Sequence, residues 1–257
     1  AWITTLDVGQ GLAVLVRTSG RALLYDAGPA YGPEADSGGR VILPLLRASG
    51  IAGLEEMMVT HEDIDHLGGA LTVLESLPVA LLRTSLPRAH PLHALAPARP
   101  CIAGDAWAWD GVRFEVLHPA HAAGRRNDRS CVLRVDAQGA SMLLTGDIER
   151  AGEAELVAAG RDLRSDALLV PHHGSRSSST PAFIAAVAPR WAIAAAGYRS
   201  RFGHPHPEVL ARYRDAGVEV RRTDLDGAVH VRLGTSGATL ETERARRPRY
   251  WRRAPGV

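Results

Sequence analysis

The chain has 257 residues, enough for one large α/β domain or two small ones. Hydrophobic residues make up 46% and charged residues 23%, which suits a globular domain with a buried core and excludes a disordered or fibrous chain. All 30 basic residues are arginine, yet the net charge is only +2, so charge alone identifies no partner, although arginine can bind a phosphodiester through its bidentate fork.

The first hundred residues predict strands and two helices. Short apolar or alternating runs predict strands at residues 2–8, 12–18, 21–26, 57–60 and 79–83. Apolar residues at helical spacing predict helices at residues 41–49 and 68–77. The Gly- and Pro-rich residues 31–39 and the Pro-rich residues 89–100 predict loops.

The remaining residues continue the alternation of strands and helices. Strands are predicted at residues 112–117, 131–135, 141–144, 167–170, 191–195, 218–220, 228–233 and 238–242, and helices at 149–159, 181–187 and 207–216. This order indicates mixed sheets covered by helices, an α/β or α+β layered domain. We expect the domain to span residues 1–243 and residues 244–257 to form an arginine-rich, flexible tail.

Two further features bear on the compartment of the chain. Cys101 and Cys131 form no CxxC motif, which excludes a zinc finger on spacing. The pair allows a disulfide, but two buried free thiols are expected. No apolar run approaches the roughly 18–20 residues that span a bilayer. The chain begins at Ala1 without an initiator Met or a signal sequence, as a piece of a longer protein would, and that parent protein could still be a membrane protein.

The strongest chemical signal is the run T-H-E-D-I-D-H-L-G-G at residues 60–69, where a predicted strand ends. Side chains at i and i+2 of an extended segment share a face, so His61 and Asp63 can bind one ion, whereas Asp65 and His66 can reach a second. The glycine pair that follows allows the backbone to turn tightly behind the ligands. A solvated charged loop is the alternative, but apolar strands rarely end in such a run by chance.

Two later strands also end in ligand types. L-L-T-G-D at residues 143–147 delivers Asp147, whose carboxylate can bridge two cations about 3.5–4 Å apart, although the motif is weak alone. L-L-V-P-H-H-G-S at residues 168–175 delivers two histidines. Because adjacent side chains on an extended segment diverge, we expect His172 to bind metal and His173 to support catalysis. Ser175 could bind phosphate oxygens or belong to a helix cap.

The predicted ligand set contains three histidines and three carboxylates. Its members are His61, Asp63, Asp65, His66, Asp147 and His172. A set of nitrogen and oxygen donors without thiolate suits two divalent ions such as Mn²⁺ or Zn²⁺.

These three segments together resemble the metallo-β-lactamase superfamily. More closely, the chain resembles the soluble C-terminal domain of the ComEC family of DNA internalization and competence proteins. That likeness is carried by L-D-V-G-Q-G at residues 6–11, L-Y-D-A-G at 24–28, N-D-R-S at 127–130, G-H-P at 203–205 and T-D-L-D-G at 223–227, and it covers residues 2–233.

The resemblance implies a four-layer αββα sandwich with metals at one edge. It also implies a soluble domain of a bacterial inner-membrane protein, with DNA, the transmembrane region of the parent protein and other DNA-uptake proteins as partners. Either side of the membrane is arguable, and the outer, periplasmic face is favoured because incoming DNA meets it first.

Two departures from the superfamily's commonest pattern concern the metals. Asp63 stands where H-x-H-x-D-H places its second histidine. The superfamily also places a histidine between the first motif and T-G-D; His118 and His121 lie in that interval, but the matching position falls at residues 127–130. One ion would therefore have a thin ligand set.

The leading hypothesis is metal-dependent hydrolysis of phosphodiester bonds in single-stranded DNA. Asp147 would bridge the ions, and Asp65 would bind metal and could orient the attacking water. His204 or a metal-bound water would protonate the leaving oxygen. Asn127, Ser130, Ser175 and His204 are the candidate phosphate contacts. A hydrolase of a small phosphoester, lactone or thioester on the same fold and a non-catalytic DNA-binding module are the alternatives.

Two possible roles are open for each of several other residues. Asp7 and Asp26 could orient metal ligands or be plain turn carboxylates. Trp107 and Trp109 could stack on bases, although packing in the core or on an edge strand is the expected role.

Overall fold

The computed structural model describes residues 1–120 and 125–248. Within them the strands form two large sheets and one short hairpin. In chain order the strands are β1 (Trp2–Thr5), β2 (Val14–Arg17), β3 (Ala22–Tyr25), β4 (Ala30–Gly32), β5 (Ala35–Asp36), β6 (Glu56–Val59), β7 (Leu82–Thr84), β8 (Ala98–Pro100), β9 (Ala106–Trp109), β10 (Val112–His118), β11 (Val132–Ala137), β12 (Ala140–Leu144), β13 (Ala167–Leu169), β14 (Trp191–Ala194), β15 (Glu219–Arg222), β16 (Val229–Gly234) and β17 (Gly237–Thr242).

Helices connect and cover these strands. They are α1 (Leu43–Ala48), α2 (Ile64–Leu67), α3 (Ala70–Ser76), α4 (Arg150–Ala158), α5 (Pro181–Val187), α6 (Pro207–Asp215), α7 (Thr223–Asp226) and α8 (Glu243–Arg246). A π-helical turn at Gly38–Ile42 precedes α1, and 3₁₀ turns lie at Pro91–Ala94, Asn127–Arg129 and Pro171–Gly174. No helix of the described residues is long and apolar enough to cross a membrane.

Each large sheet has an antiparallel part and a parallel part. The first sheet has the order β17-β16-β1-β2-β3-β6-β7-β8, and β3, β6, β7 and β8 run parallel. The second has the order β15-β14-β13-β12-β11-β10-β9, and β12 to β15 run parallel. Parallel strands deliver their carboxyl ends to a common sheet edge, where ligands bind in open α/β sheets.

Three apolar clusters define the layers. The central cluster joins the inner faces of both sheets and includes Tyr25 and Met58 from the first and Phe114 from the second. A second cluster packs the outer face of the first sheet against α1 and α3. A third packs the outer face of the second sheet against α4, α5 and α6. The expected αββα sandwich is therefore confirmed.

The two tryptophans of strand β9 take the packing role. Trp107 and Trp109 lie on the edge strand β9, and their rings contact Phe114 at centroid distances of 5.4 and 4.9 Å. Strands β8 and β9 were absent from the predicted elements. β8 (Ala-Arg-Pro) carries little strand propensity, and β9 (Ala-Trp-Ala-Trp) is a run of only four residues; pairing to β7 and β10 stabilises them.

The predicted tail begins inside a short helix. Helix α8 spans Glu243–Arg246, so the expected boundary at residue 243 does not separate structured from unstructured chain. Residues 249–257 of the predicted tail lie outside the described residues.

The expectation of two free thiols is wrong. Cys101 and Cys131 form a disulfide with a Cα–Cα distance of 5.8 Å, inside the range that disulfides adopt. Cys101 follows β8 in the first sheet and Cys131 precedes β11 in the second. Spacing along the sequence does not reveal that the end of β8 meets the start of β11 from the other sheet here. The bond links the two halves of the sandwich covalently.

We expect the variant Cys101→Ala/Cys131→Ala to lose on the order of 2–4 kcal/mol of unfolding free energy, because the closed loop of the unfolded chain is released. Urea unfolding followed by circular dichroism measures the loss. The parent chain treated with dithiothreitol should shift to the same midpoint, whereas the variant should not respond to reductant. A parent midpoint that stays unchanged after thiol titration has proved full reduction would contradict this expectation.

Candidate metal centre

The first arm of the site follows β6. The buried residues of that strand lead into His61, which is 2% exposed, and the short helix α2 brings His66 to complete burial. Behind them, a Cβ on Gly68 would lie 2.2 Å from the backbone nitrogen of Ala30. That glycine is therefore required by close backbone contact; its helical φ of −56° needs no glycine.

The second arm comes from the other sheet. Asp147 follows β12 and is 3% exposed, and the turn Pro171–Gly174 follows β13 and carries His172 and His173. Because the two sheets face each other, these carboxyl-terminal ends meet the first arm at one edge of the sandwich.

The convergence produces two overlapping groups of ligand atoms. His61, His66 and Asp147 form one, and Asp65, His66 and His173 form the other; within each, one ligand atom from every residue lies within 4.8 Å of the rest. Asp147 stands between them. Its Oδ1 lies 3.1 Å from Nε2 of His66, and its Oδ2 lies 3.5 Å from Nε2 of His173.

In the imidazole rings of His66 and His173, the hydrogen bond made by Nδ1 determines that the bare nitrogen, the one without a hydrogen, is Nε2. Nδ1 of His173 lies 2.8 Å from the carbonyl oxygen of Ala195, which can only accept, so Nδ1 carries the hydrogen. Nδ1 of His66 likewise donates to Asp26 at 2.7 Å. In the neutral rings both Nε2 atoms therefore present lone pairs, and they face each other at 3.1 Å. Such a pair is repulsive unless a cation or a proton lies between its members.

Asp26 organises two of these histidines. It is fully buried and accepts from His66 and from the backbone N–H and hydroxyl of Thr60. Because the Thr60 hydroxyl donates to Asp26, its oxygen accepts from Nδ1 of His61 at 2.9 Å. One carboxylate thus sets the tautomer of both rings, the arrangement that supports metal-binding histidines elsewhere. The sequence allowed Asp26 either to orient a metal ligand or to be a plain turn carboxylate, and this geometry favours the orienting role.

Electrostatics shows how strongly the site attracts positive charge. Burial opposes charge on His66, but Asp147 and Asp26 outweigh it and raise the pKa of His66 well above its usual range. Burial likewise opposes charge on Asp147, yet the neighbouring His173 and His66 hold the pKa of Asp147 well below its usual range. Protons and divalent cations therefore compete for one set of donors, and metal binding must release protons.

Buried atoms without partners test whether an ion fits. Among the described residues, Nε2 of His61 and Oδ1 of Asp147 are buried and have no hydrogen-bond partner. Leaving buried polar atoms unsatisfied costs about 1–3 kcal/mol each. Both atoms belong to the first ligand group, so the residues present fit a bound divalent cation.

The two adjacent histidines do not diverge as expected. Residues 172 and 173 are both in the left-handed region, with φ of 50° and 54°, so the segment is not extended. As a result Nε2 of His172 also reaches to 3.6 Å from Oδ2 of Asp147, while its Nδ1 lies 3.1 Å from Glu149. His173 is the one included in a ligand group. The geometry thus favours His173 over His172 as a ligand, the reverse of the expectation.

Asp63 lies at the rim, outside both ligand groups. Its Oδ2 is 3.5 Å from Nε2 of His61, and its Oδ1 accepts from Arg126 at 2.7 Å. These contacts, His61 first, lower the pKa of Asp63 despite partial burial. Arg126, which also contacts Glu62, was not among the candidates; nothing in its local sequence distinguishes it from the other arginines.

The predicted phosphate contacts separate into different roles. Ser130 is fully buried, and its hydroxyl accepts from the backbone N–H of Asp147 and lies 3.3 Å from Nδ1 of His61, so it positions ligands from behind. Asn127 is half-buried in a 3₁₀ turn, and the hydroxyl of Ser175 contacts that of Ser177 at 2.9 Å. These two remain predictions.

One histidine between the H-x-D-x-D-H run and the T-G-D segment is buried in the structure. His118 lies in the second sheet and its Nε2 donates to the carbonyl oxygen of Asp128 at 2.6 Å, so it belongs to neither ligand group. His121 lies outside the described residues.

His204 lies against the histidine turn. Its ring centroid is 5.8 Å from that of His172 and 6.4 Å from that of His173. Burial, followed by the neighbouring charge of His173 and His172, lowers the pKa of His204 to about 4. The ring is then neutral near pH 7, which suits a hydrogen-bonding contact better than donation of a proton.

The sequence of the chain matches a known protein family over most of its length. The pattern of the metallo-beta-lactamase superfamily matches residues 6–198. The chain belongs to that superfamily. Solved structures of low sequence identity share the fold: Igni18, a metallo hydrolase from Ignicoccus hospitalis KIN4/I, has a TM-score of 0.60 with 13% identity and covers 91% of this chain and 100% of its own. The metallo-beta-lactamase fold protein YhfI from Bacillus subtilis has a TM-score of 0.54 with 11% identity, and the match covers 86% of this chain and 96% of YhfI.

Curated relatives match almost the whole chain. Competence protein ComA of Neisseria gonorrhoeae is 40% identical over 99% of this chain and 35% of its own length. Recombination protein 2 of Haemophilus influenzae is 34% identical over 99% of this chain and 32% of its own length. ComE operon protein 3 of Bacillus subtilis is 32% identical over 90% of this chain and 33% of its own length. The chain spans about a third of the length of these relatives.

We expect Asp26→Asn to weaken Zn²⁺ or Mn²⁺ binding by about 10–100-fold, because the amide cannot accept from Thr60 and His66 as a carboxylate does. Isothermal titration calorimetry measures the dissociation constant. Asp36→Asn is the matched control, since Asp36 is an acceptor in β5 that contacts Gly39 and Thr72 and should leave affinity unchanged. Equal metal affinity in the Asp26 variant and the parent chain would rule out the orienting role.

Proposed function

We propose that this domain hydrolyses phosphodiester bonds of DNA, single-stranded DNA above all, with two divalent cations of the Mn²⁺ or Zn²⁺ kind. The observation that carries the proposal is the convergence of two candidate ligand groups at one edge of the sandwich, which share His66 and both contain a histidine in contact with Asp147. The superfamily membership supports a metal-dependent hydrolase. The names of the competence and recombination relatives support DNA as the substrate.

Each residue of the site receives a role from its position. His61, His66 and Asp147 would hold one cation, and Asp65, His173 and Asp147 the other, since His66 has a single free nitrogen and can serve only one ion. Asp63 and His172 would be further donors at the rim. When bound, such ions polarise a phosphoryl oxygen and lower the pKa of water toward neutrality. Asp65, 27% exposed, is the ligand carboxylate that solvent reaches, so it can orient the attacking water.

The outer residues would position the substrate. His204 is half-buried beside the histidine turn, and as a neutral ring it would donate a hydrogen bond to a phosphate or leaving oxygen. Asn127 and Ser175 stand at the same edge as candidate phosphate contacts. Ser130, Thr60 and Asp26 hold the ligand rings and need not contact DNA.

The relatives and the disulfide support a setting for the domain. A chain that matches a third of a competence protein would work beside the transmembrane region that the resemblance implies and beside other DNA-uptake components. Disulfides persist in oxidising compartments. The bond between Cys101 and Cys131 therefore supports the outer, periplasmic face of the inner membrane.

Cleavage of end-labelled single-stranded DNA tests the activity, with Mn²⁺, Zn²⁺, Mg²⁺ or EDTA in parallel. Asp147→Asn and Asp65→Ala should each lower the metal-dependent rate by more than about a hundredfold, because several kcal/mol of transition-state stabilisation depend on the ions. Asp215→Ala, an exposed acid on α6 outside the site, is the control and should keep the parent rate.

Other results would select the alternatives. DNA binding that survives EDTA, without cleavage under any metal, favours a non-catalytic DNA-binding module. Metal-dependent turnover of a small phosphoester or lactone, with DNA left intact, favours a different hydrolase on the same fold.

A further inference from the structure

The loop that leads to His204 exposes two aromatic rings. Tyr198 is 72% exposed and Phe202 is 54% exposed. Single exposed hydrophobic residues are ordinary on a protein surface, and most need no explanation. Here two rings lie within five residues of each other, in a loop that ends at the candidate metal centre.

Arginines accompany both rings. The guanidinium of Arg199 lies over the ring of Tyr198, 5.3 Å from its centroid, and that of Arg201 lies over Phe202 at 4.8 Å. Residues 197–203 contain no acidic side chain. The loop therefore combines two exposed aromatic side chains with two arginines that can exchange an aromatic ring for a phosphate, and these groups match the bases and the phosphates of a nucleic-acid strand.

The base of the loop is fixed although its tip is exposed. At one end, Ala196 donates to the hydroxyl of Thr223 at 2.9 Å, and a Cβ on Gly197 would lie 2.6 Å from the backbone nitrogen of Gln10. At the other end, His206 donates to the carbonyl oxygen of Gly174 at 2.8 Å. The rings are thus held at a set distance from the histidine turn.

A chain of ring contacts connects the loop to the ligands. The Phe202 ring lies nearly parallel to that of His204, with centroids 5.8 Å apart and an interplanar angle of 28°. His204 in turn stacks on His173 at 6.4 Å. A base stacked on Phe202 would place its own backbone beside the metal centre.

We propose that Tyr198 and Phe202 form a base-stacking platform, with Arg199 and Arg201 as its phosphate contacts, that binds unpaired nucleotides next to the cleavage site. This platform deepens the proposed function, because it gives the site a reason to prefer single strands: paired bases in a duplex do not offer their faces. Trp107 and Trp109, which the sequence also suggested for stacking, are engaged with Phe114 and take no part.

Binding measured without cleavage tests the platform. In EDTA, fluorescence anisotropy would compare three labelled probes: a twelve-nucleotide oligo(dT), a strand of twelve abasic deoxyribose phosphates, and a twelve-base-pair duplex. Tyr198→Leu and Phe202→Leu should each weaken oligo(dT) binding by about five- to a hundredfold. Neither should change binding of the abasic strand, which has the same charge and no bases.

Two further variants separate stacking from charge. Arg199→Gln/Arg201→Gln should weaken oligo(dT) and the abasic strand alike and reduce the salt dependence of both. Phe202→Trp should retain or strengthen oligo(dT) binding, since it keeps a π-face. Trp2→Leu is the matched control: Trp2 is 42% exposed at the start of β1, the end of the strand that points away from the site.

The results distinguish failure of the platform from failure of the catalytic proposal. The platform is wrong if the leucine variants bind oligo(dT) like the parent, if they lose oligo(dT) and the abasic strand equally, or if the parent binds none of the probes. Hydrolysis of methyl p-nitrophenyl phosphate with Mn²⁺, a diester without a base, reports the catalytic centre separately. The control variant Trp2→Leu should keep the parent rate on it, and absence of that activity in the parent concerns the proposed function alone.

Discussion

The constraint on which the site depends is the approach of two bare imidazole nitrogens to 3.1 Å. Each ring has its other nitrogen committed to an acceptor, so neither can turn its lone pair away without breaking a buried hydrogen bond. A proton or a cation must therefore lie near the Nε2 atoms of both His66 and His173. With Asp147 beside them, the arrangement is stable when a cation or a proton is present and strained when neither is.

The surrounding fold keeps those nitrogens in place. Asp26 holds the His66 ring, and the carbonyl oxygen of Ala195 holds the His173 ring. Asp26 also holds the neighbouring His61 ring through Thr60, while Ser130 contacts His61 and the backbone of Asp147 from the other sheet. Asp26 itself adopts a φ of 57°, uncommon for a residue with a side chain. A residue in that conformation persists when its surroundings determine it, and here three hydrogen bonds from two residues do so.

Much of this could be predicted from sequence, for reasons that differ by residue. The layered fold followed from alternating strands and helices, and an apolar strand ending in H-x-D-x-D-H pointed to the candidate ligands His61, Asp65 and His66 that the fold brings together. The preference for His172 over His173 assumed an extended backbone, and two successive left-handed residues, which leave no mark in the sequence, turn both rings toward Asp147 instead. The disulfide and the contacts of Arg126 depend on which loops meet in space. Glu149, two residues after Asp147, could have been suspected as a partner of His172 from its i, i+2 spacing.

The division of ligands between the two sheets has a consequence for when the site exists at all. His61, Asp65 and His66 come from the first half of the chain, and Asp147 and His173 from the second. Neither half alone holds a complete ligand group, so a partly synthesised or truncated chain lacks the centre. Any metal-dependent activity of this centre therefore arises only after both layers have docked, so the finished fold, and not either half of the chain, is the unit that can bind the ions.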